Sequence, residues 1–317
     1  MIWPKNGGFL ILNKPEGMIS NQALGRIKRM FKVKKAGYIG TLDPFATGVL
    51  PIAFGQGTRL IPYFENDIKA YEGEIQLGVE TDTMDSSGKI IADTMPPSVE
   101  FEEVQEVFNR FVGVIEQVPP MFSARKVKGV PLYKMARKGQ EVERGTKRVV
   151  IHEFTLKRIE GAKLGFSVSC SKGTYIRVLA HDVGREIGCG AVLSSLCRVR
   201  SGKFHISDAV TLEELEEMNS EDRRERVLSN RTVLASWEEI IVPDEVVRSI
   251  MNGRAIYWMD VKRYDLPLIK AKDPIKIVSK DGYLTAIVRS RFAREGEKGE
   301  NQELSPVIYE LEKVFAP

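Results

Sequence analysis

Apolar residues recur with two periods along this chain, and the changes from one period to the other mark out its elements. Phe9-Leu10-Ile11-Leu12 reads as a buried strand, stopped by Asn13-Lys14-Pro15 and Gly17. Ser20 is placed to cap a helix carrying Ala23, Leu24, Ile27, Met30 and Phe31 on one stripe, with Arg26, Lys28, Arg29 and Lys32 on the other face. A glycine-bounded turn and the apolar run Val49 to Phe54 follow. From Tyr71 to Val79 the pattern alternates. Tyr71, Ile75, Leu77 and Val79 share one face, opposite Glu72, Glu74 and Gln76, so a sheet can aim Tyr71 into a cleft.

Helical spacing returns after Ser98, with Phe101, Val104, Phe108 and Phe111, until Pro119-Pro120 breaks the chain. Residues 123–148 hold Gly129, Gly139 and Gly145 with few large apolar residues, the pattern of a protruding lobe. Phe166 to Ser171 predicts a strand. Lys172-Gly173-Thr174 then leads into a helix with Ile176, Leu179, Ala180, Val183 and Ile187 inside, ended by Gly188. Past Trp237 short strands and turns take over. Pro274 to Val278, the turn Asp281-Gly282 and Tyr283 to Val288 predict a hairpin, and Pro306 to Leu311 a further strand, together a small all-β domain.

Charge sharpens this picture through its distribution rather than its sum of +4. Arg26 to Lys35 holds six basic residues and no acid, and Met121 to Val150 holds nine basic residues against two acids. Thr211 to Ile240 is acidic, nine against four. Two separate basic surfaces suit a protein that meets a polyanion. A chain of 317 residues with 43% apolar content has room for a sizeable core and two domains. It has no apolar run near the ~20 residues of a membrane span and no signal-peptide pattern, so a cytoplasmic location without membrane partners is expected.

The candidate chemistry is sparse. Cys170, Cys189 and Cys197 suggest neither a disulfide framework nor zinc. The three histidines lack metal-ligand spacing, so no metal site and no Ser-His-Asp triad is expected. Nucleotide-phosphate loops and nucleophile elbows are missing, Asp82, Asp85 and Gly88 do not make a calcium loop, and no cofactor is expected. What stands out is Asp43 in Gly40-Thr41-Leu42-Asp43-Pro44-Phe45-Ala46-Thr47-Gly48. Pro44 biases Asp43 toward extended backbone, and the glycines permit turns. In sequence the nearest acids are Glu16 and Glu65, so Asp43 reads as a lone carboxylate on a rigid turn. Tyr175 and Arg177, two apart, serve one site only at a strand-to-helix junction. On spacing alone Tyr175 fills core and Arg177 is solvated.

Taken together, the motifs resemble those of the TruB-type tRNA pseudouridine synthases. The resemblance rests on the Asp43 segment, Leu12 to Gly17, Val118 to Lys126, Lys172 to Arg177 and Leu193 to Arg198, in that order, within residues 9–210. The tail resembles a PUA RNA-binding domain. The resemblance implies an α+β fold with a mixed, mainly antiparallel sheet flanked by helices. It also implies a catalytic domain over 1–236 with an RNA-gripping thumb at about 123–150, and a small β-barrel over 237–317. The implied activity is isomerisation of uridine-55 in the tRNA T-loop, without cofactor, by a monomer. Asp43 would be the essential carboxylate, acting by attack or proton abstraction. Tyr71, Tyr175, Arg177 and Leu196 would bind the nucleotide, which must be flipped out of its loop. Lys14, Tyr38, Arg125, Lys126, Lys128, Arg137 and Lys138 would contact RNA. Tyr38 and Phe122 depart from the usual His and Tyr of the family. The alternative is a non-catalytic RNA-binding or tRNA-folding protein using the same groove. A methyltransferase is disfavoured, because no glycine-rich loop follows a strand.

Overall fold

The computed structural model describes residues 7–123, 125–127, 129–136, 138–140, 142–291 and 307–315. Its main feature is a ten-stranded sheet. Along its path run Leu228–Ser229, Gly8–Lys14, Thr47–Phe54, Ala191–Ser201, Lys69–Leu77, Lys163–Cys170, Lys147–Glu160 and Gly113–Gln117. Two short strands, Ala36–Tyr38 and Phe204–His205, pair beside this path.

Among the described residues every strand pairing in this sheet is antiparallel except one. Thr47 and Gly48 run parallel to Cys197 and Arg198, and these two residue pairs join the two halves of the sheet. One half is built on Gly8–Lys14 and Thr47–Phe54, in register from Gly8 opposite Phe54 to Lys14 opposite Gly48. The other half carries Lys69–Leu77 between Lys163–Cys170 and Ala191–Ser201. A strand buries both faces when both are covered, and here successive residues divide between two cores. Leu10, Leu12, Leu50 and Ile52 pack on one side with Ala23, Ile27, Val104, Phe108, Leu179 and Val183 from the helices. Phe9, Ile11, Val49 and Ala53 pack on the other with Phe64, Phe204, Leu284, Ile287 and Phe315.

The helices form where the stripes predict them. Ser20–Met30 buries Ala23 and Ile27, Phe101–Arg110 buries Val104 and Phe108, and Ile176–Ile187 ends at Gly188. Three details differ from the sequence reading. Ile19, not Ser20, occupies the first cap, because Ser20 is turned inward to another task. The helix Phe101–Arg110 starts from Glu100 rather than Ser98. Val79 does not continue the Tyr71 face: Lys69–Leu77 stops before Gly78, and Val79–Thr81 pairs separately with Ile90–Asp93.

The C-terminal region is not all-β. It is a five-stranded sheet in the order Glu239–Val242, Ile275–Ser279, Leu284–Ser290, Val307–Val314 and Ile256–Tyr257, with helices Asp244–Met251 and Trp258–Tyr264. Val246 and Ile250 give the first helix a buried side, a spacing masked in sequence by its two short turns and its prolyl cap. The hairpin about Asp281-Gly282 forms as expected, and the last strand runs from Val307 to Val314. No helix among the described residues is long and apolar enough to cross a membrane.

Candidate active site

The two halves of the main sheet pair at their two-residue joint, and the Asp43 turn leads directly into it. Gly40 and Gly48 bound it with φ of 69° and 100°, a region that residues bearing a Cβ rarely adopt. The residues on either side of Asp43 are fastened from different elements. The Ser20 hydroxyl accepts from the Leu42 amide at 2.9 Å and donates to the Leu42 carbonyl at 3.1 Å. The Pro44 carbonyl accepts from the Gly17 amide at 2.8 Å and from Lys14 Nζ at 3.2 Å. This leaves the carboxylate on backbone that cannot swing without breaking several hydrogen bonds.

Lys14, expected to meet RNA, is instead turned into the protein. It is 0% exposed, and its ammonium also donates to the carbonyls of Pro15 and Met18, both at 2.7 Å. Burial lowers its pKa to about 8, opposed by the nearby Asp43 carboxylate. All three of its protons are committed to carbonyls, so none is left for a phosphate.

Arg177 lies in the first turn of Ile176–Ile187, and Tyr175 is the extended residue at the cap of that helix. This is the strand-to-helix junction, and Arg177 is 3% exposed, so the solvated placement that spacing alone favours does not hold. Gln117, itself buried, secures it by accepting from the Tyr175 amide at 2.9 Å and donating to the Tyr175 carbonyl at 3.2 Å. Arg177 Nε stands 2.9 Å from Asp43 Oδ2 as a charge contact rather than an aligned hydrogen bond. Nη1 lies 3.2 Å from Asp85 Oδ2 and donates to the Thr83 carbonyl at 3.0 Å, and Nη2 donates to the Phe122 carbonyl at 3.0 Å.

Asp43 is thus not a lone acid in space. Asp85 brings a second carboxylate to the same guanidinium, 42 positions further along the chain, where no local pattern links the two. Its other oxygen accepts from the Ser87 amide at 3.0 Å and from the hydroxyls of Ser87 at 2.5 Å and Thr83 at 2.8 Å. The Asp43 side chain keeps 37% of its surface open, yet protein crowds it closely. Burial pushes its carboxyl above the ordinary range, Arg177 pulls it back down, and Asp85 adds to the upward push.

Tyr71 stands directly opposite Arg198 across the Lys69–Leu77 and Ala191–Ser201 pairing, so the two side chains share one face. Burial raises the Tyr71 hydroxyl above the usual phenol range, and the neighbouring Arg198 guanidinium opposes that rise. Leu196 is buried two residues before Arg198 on the same face, and its carbonyl accepts from the Thr47 hydroxyl at 3.4 Å. A 530 Å³ cavity beside the turn is lined by Phe45, Thr47, Glu72, Gly73 and Leu196 among others. It adjoins Asp43 without including it.

The remaining expected RNA contacts spread away from this centre. Tyr38 ends Ala36–Tyr38 opposite Ile52 and is partly buried. Arg125 and Lys138 are exposed, with Arg125 Nη1 donating to the Gly145 carbonyl at 3.3 Å. Lys128 and Arg137 lie outside the described residues, and of Lys126 only the backbone, in a two-residue strand with Val127, is described. Among the described residues no group of His, Cys, Asp and Glu is arranged to hold a metal ion. The geometry offers one partly open carboxylate held against a buried arginine, beside an aromatic ring and an apolar wall.

Known proteins match this chain over most of its length. Residues 28–176 match the family described as TruB family pseudouridylate synthase (N terminal domain), and residues 177–243 match the tRNA pseudouridylate synthase B C-terminal domain. The tRNA pseudouridine synthase B of Geotalea uraniireducens (strain Rf4) is 36% identical over 310 residues, 97% of this chain and 99% of that protein. Its counterpart from Syntrophotalea carbinolica is 44% identical over 246 residues, 78% of this chain and 80% of the relative. Among solved structures, a chain of the crystal structure of a Cbf5-Nop10-Gar1 complex is similar with a TM-score of 0.70 and 25% identity. That similarity covers 99% of this chain and 86% of that one.

Proposed function

The chain belongs to the TruB family of pseudouridylate synthases, and from that premise we propose that it converts uridine-55 in the T-loop of tRNA to pseudouridine. The C1′–N1 bond of the nucleotide breaks and a C1′–C5 bond forms. The proton at C5 leaves and N1 gains one, so substrate and product are isomers and no oxidant or group donor is consumed. Asp43 is the essential carboxylate. Its contact with Arg177 is the observation that carries this reading, because crowding alone would favour the neutral acid and the guanidinium favours the anion.

Tyr71 serves as the platform for the extracted base, a kind of stacking worth ~1–3 kcal/mol. Leu196 and Tyr175 border the pocket. Extraction of the base costs a few kcal/mol, offset by phosphate contacts from the thumb and from the basic face of Ser20–Met30. Tyr38, Arg125 and Lys138 belong to that RNA path. Residues 1–236 form the catalytic domain and 237–317 a PUA-type RNA-binding domain. The second assignment is supported by cations held over rings on its surface, Arg254 4.9 Å above Tyr257 and Lys262 5.3 Å above Trp258. The enzyme acts in the cytoplasm.

Tritium release from tRNA labelled at uridine C5 tests the reading. Wild type should release tritium and Asp43→Asn should not, while both bind tRNA. Binding by wild type without release would refute the proposed activity.

A further inference from the structure

Arg198 is 1% exposed, and among the described residues its guanidinium donates to backbone carbonyls and meets no carboxylate. A buried cation without an anionic partner is expensive, and an apolar side chain of similar volume would fill the space more cheaply. The donors of Arg198 reach both ends of the Asp43 turn. Nε donates to the Val49 carbonyl at 2.7 Å, just after the turn, and Nη2 donates to the Gly40 carbonyl at 2.9 Å, just before it. The glycines that bound the turn make room for this residue. A Cβ on Gly40 would stand 3.0 Å from Arg198 Nη1, and a Cβ on Gly48 would stand 2.4 Å from the Arg198 carbonyl oxygen. The backbone of Arg198 lies in the two-pair joint between the sheet halves, and its cross-strand neighbour is Tyr71.

We propose that Arg198 is the positioning residue that sets Tyr71 against the Asp43 turn. It draws the neck of the turn closed with its planar fork and faces Tyr71 across the neighbouring antiparallel pairing, so that carboxylate and ring meet the same nucleotide. A fork of five fixed donors can reach two carbonyls and a phenol at once, which neither a lysine nor a neutral side chain can do. Arg198 does not touch the nucleotide. It acts through the groups that do, and the inference rests on the pseudouridine-forming activity proposed above.

Arg198→Lys keeps the charge and loses the fork. Single-turnover tritium release separates two effects: the amplitude reports the fraction of active enzyme, and the rate constant reports how well the active fraction is arranged. The expected result is full amplitude with a rate constant lower by roughly a hundredfold, the effect of an ångström-scale misplacement, with tRNA affinity unchanged. In a Tyr71→Phe background the same substitution should have a smaller effect. A wild-type rate constant, or a lowered amplitude at a wild-type rate constant, would overturn the proposal, since either would leave Arg198 a purely structural post. If Arg198→Lys does not fold, Arg198→Gln is the second variant, because it keeps a donor while removing both the fork and the buried charge. It should show the same lowered rate constant, and loss of amplitude alone there would overturn the proposal. A wild type that releases no tritium would instead refute the activity itself.

Discussion

Arg177 stands between Asp43 and Asp85, with Nε 2.9 Å from one carboxylate and Nη1 3.2 Å from the other. One guanidinium thus serves two acids, and both depend on it for charge balance. Arg177→Met should lower stability by ~3–5 kcal/mol, the range for breaking a buried ion pair from one side. Asp85 is the more deeply buried of the two, its side chain 5% exposed, so Asp85→Asn added to Arg177→Met should recover part of that loss. Urea unfolding of the two variants and wild type measures both effects.

Asp43 gives a stability prediction that runs against its importance. Its folded pKa is raised above the ordinary ~3.9 of an aspartate, with burial the main cause. Between the unfolded and folded pKa values the native chain binds more protons, so stability falls as pH rises through that interval. Asp43→Asn removes this loss. Its urea midpoint at pH 7 should equal or exceed that of wild type, and the advantage should fade as pH falls below the folded pKa. Tritium release should be absent throughout.

Lys14 and Arg125 should separate in the salt dependence of tRNA binding. A side chain that neutralises a phosphate contributes about 0.7–0.9 to the slope of log affinity against log salt. Arg125→Ala should reduce the slope by about that amount. Lys14→Met should leave it unchanged, because the Lys14 ammonium is spent on the carbonyls of Pro15, Met18 and Pro44. It should instead lower stability by ~1–3 kcal/mol, the penalty of leaving buried carbonyls unmet. Filter binding across salt concentrations and urea unfolding check the pair.

Ser20 holds the residue just before Asp43 with two hydrogen bonds. Ser20→Ala should lower kcat about tenfold through loosened placement of the carboxylate, with tRNA affinity unchanged. The measurement is kcat against KM for tritium release, beside a filter-binding Kd.

Much of this site was legible in the sequence, because its backbone is written in glycine and proline. The turn from Gly40 to Gly48, the helix ended by Gly188 and the hairpin at Asp281-Gly282 follow from local conformational preference, which a sequence displays directly. Asp85 escaped because its partnership with Arg177 is a matter of chain crossing. In sequence the Asp82–Gly88 segment resembles an incomplete calcium loop, although a short acidic loop rich in hydroxyls can equally anchor a guanidinium. Lys14 and Arg198 escaped for another reason. Long cationic side chains usually reach solvent, and nothing local marks the few whose charge is consumed by buried carbonyls. Ser20 shows how a correct local signal can mislead: it sits beside a helix start, yet its hydroxyl is claimed by Leu42.

The last described residues of the chain pack where its first third begins. Phe315 is fully buried in the core that holds Phe9 and Phe64, Lys313 Nζ donates to the Arg59 carbonyl at 2.9 Å, and the Tyr63 hydroxyl donates to Glu312 at 2.8 Å. On the ribosome, the apolar face of Gly8–Lys14 must therefore wait through about 300 further residues before its covering is complete. A product cut short before Phe315 would leave that face open to chaperones and proteases, so partial chains should be cleared rather than compete for tRNA.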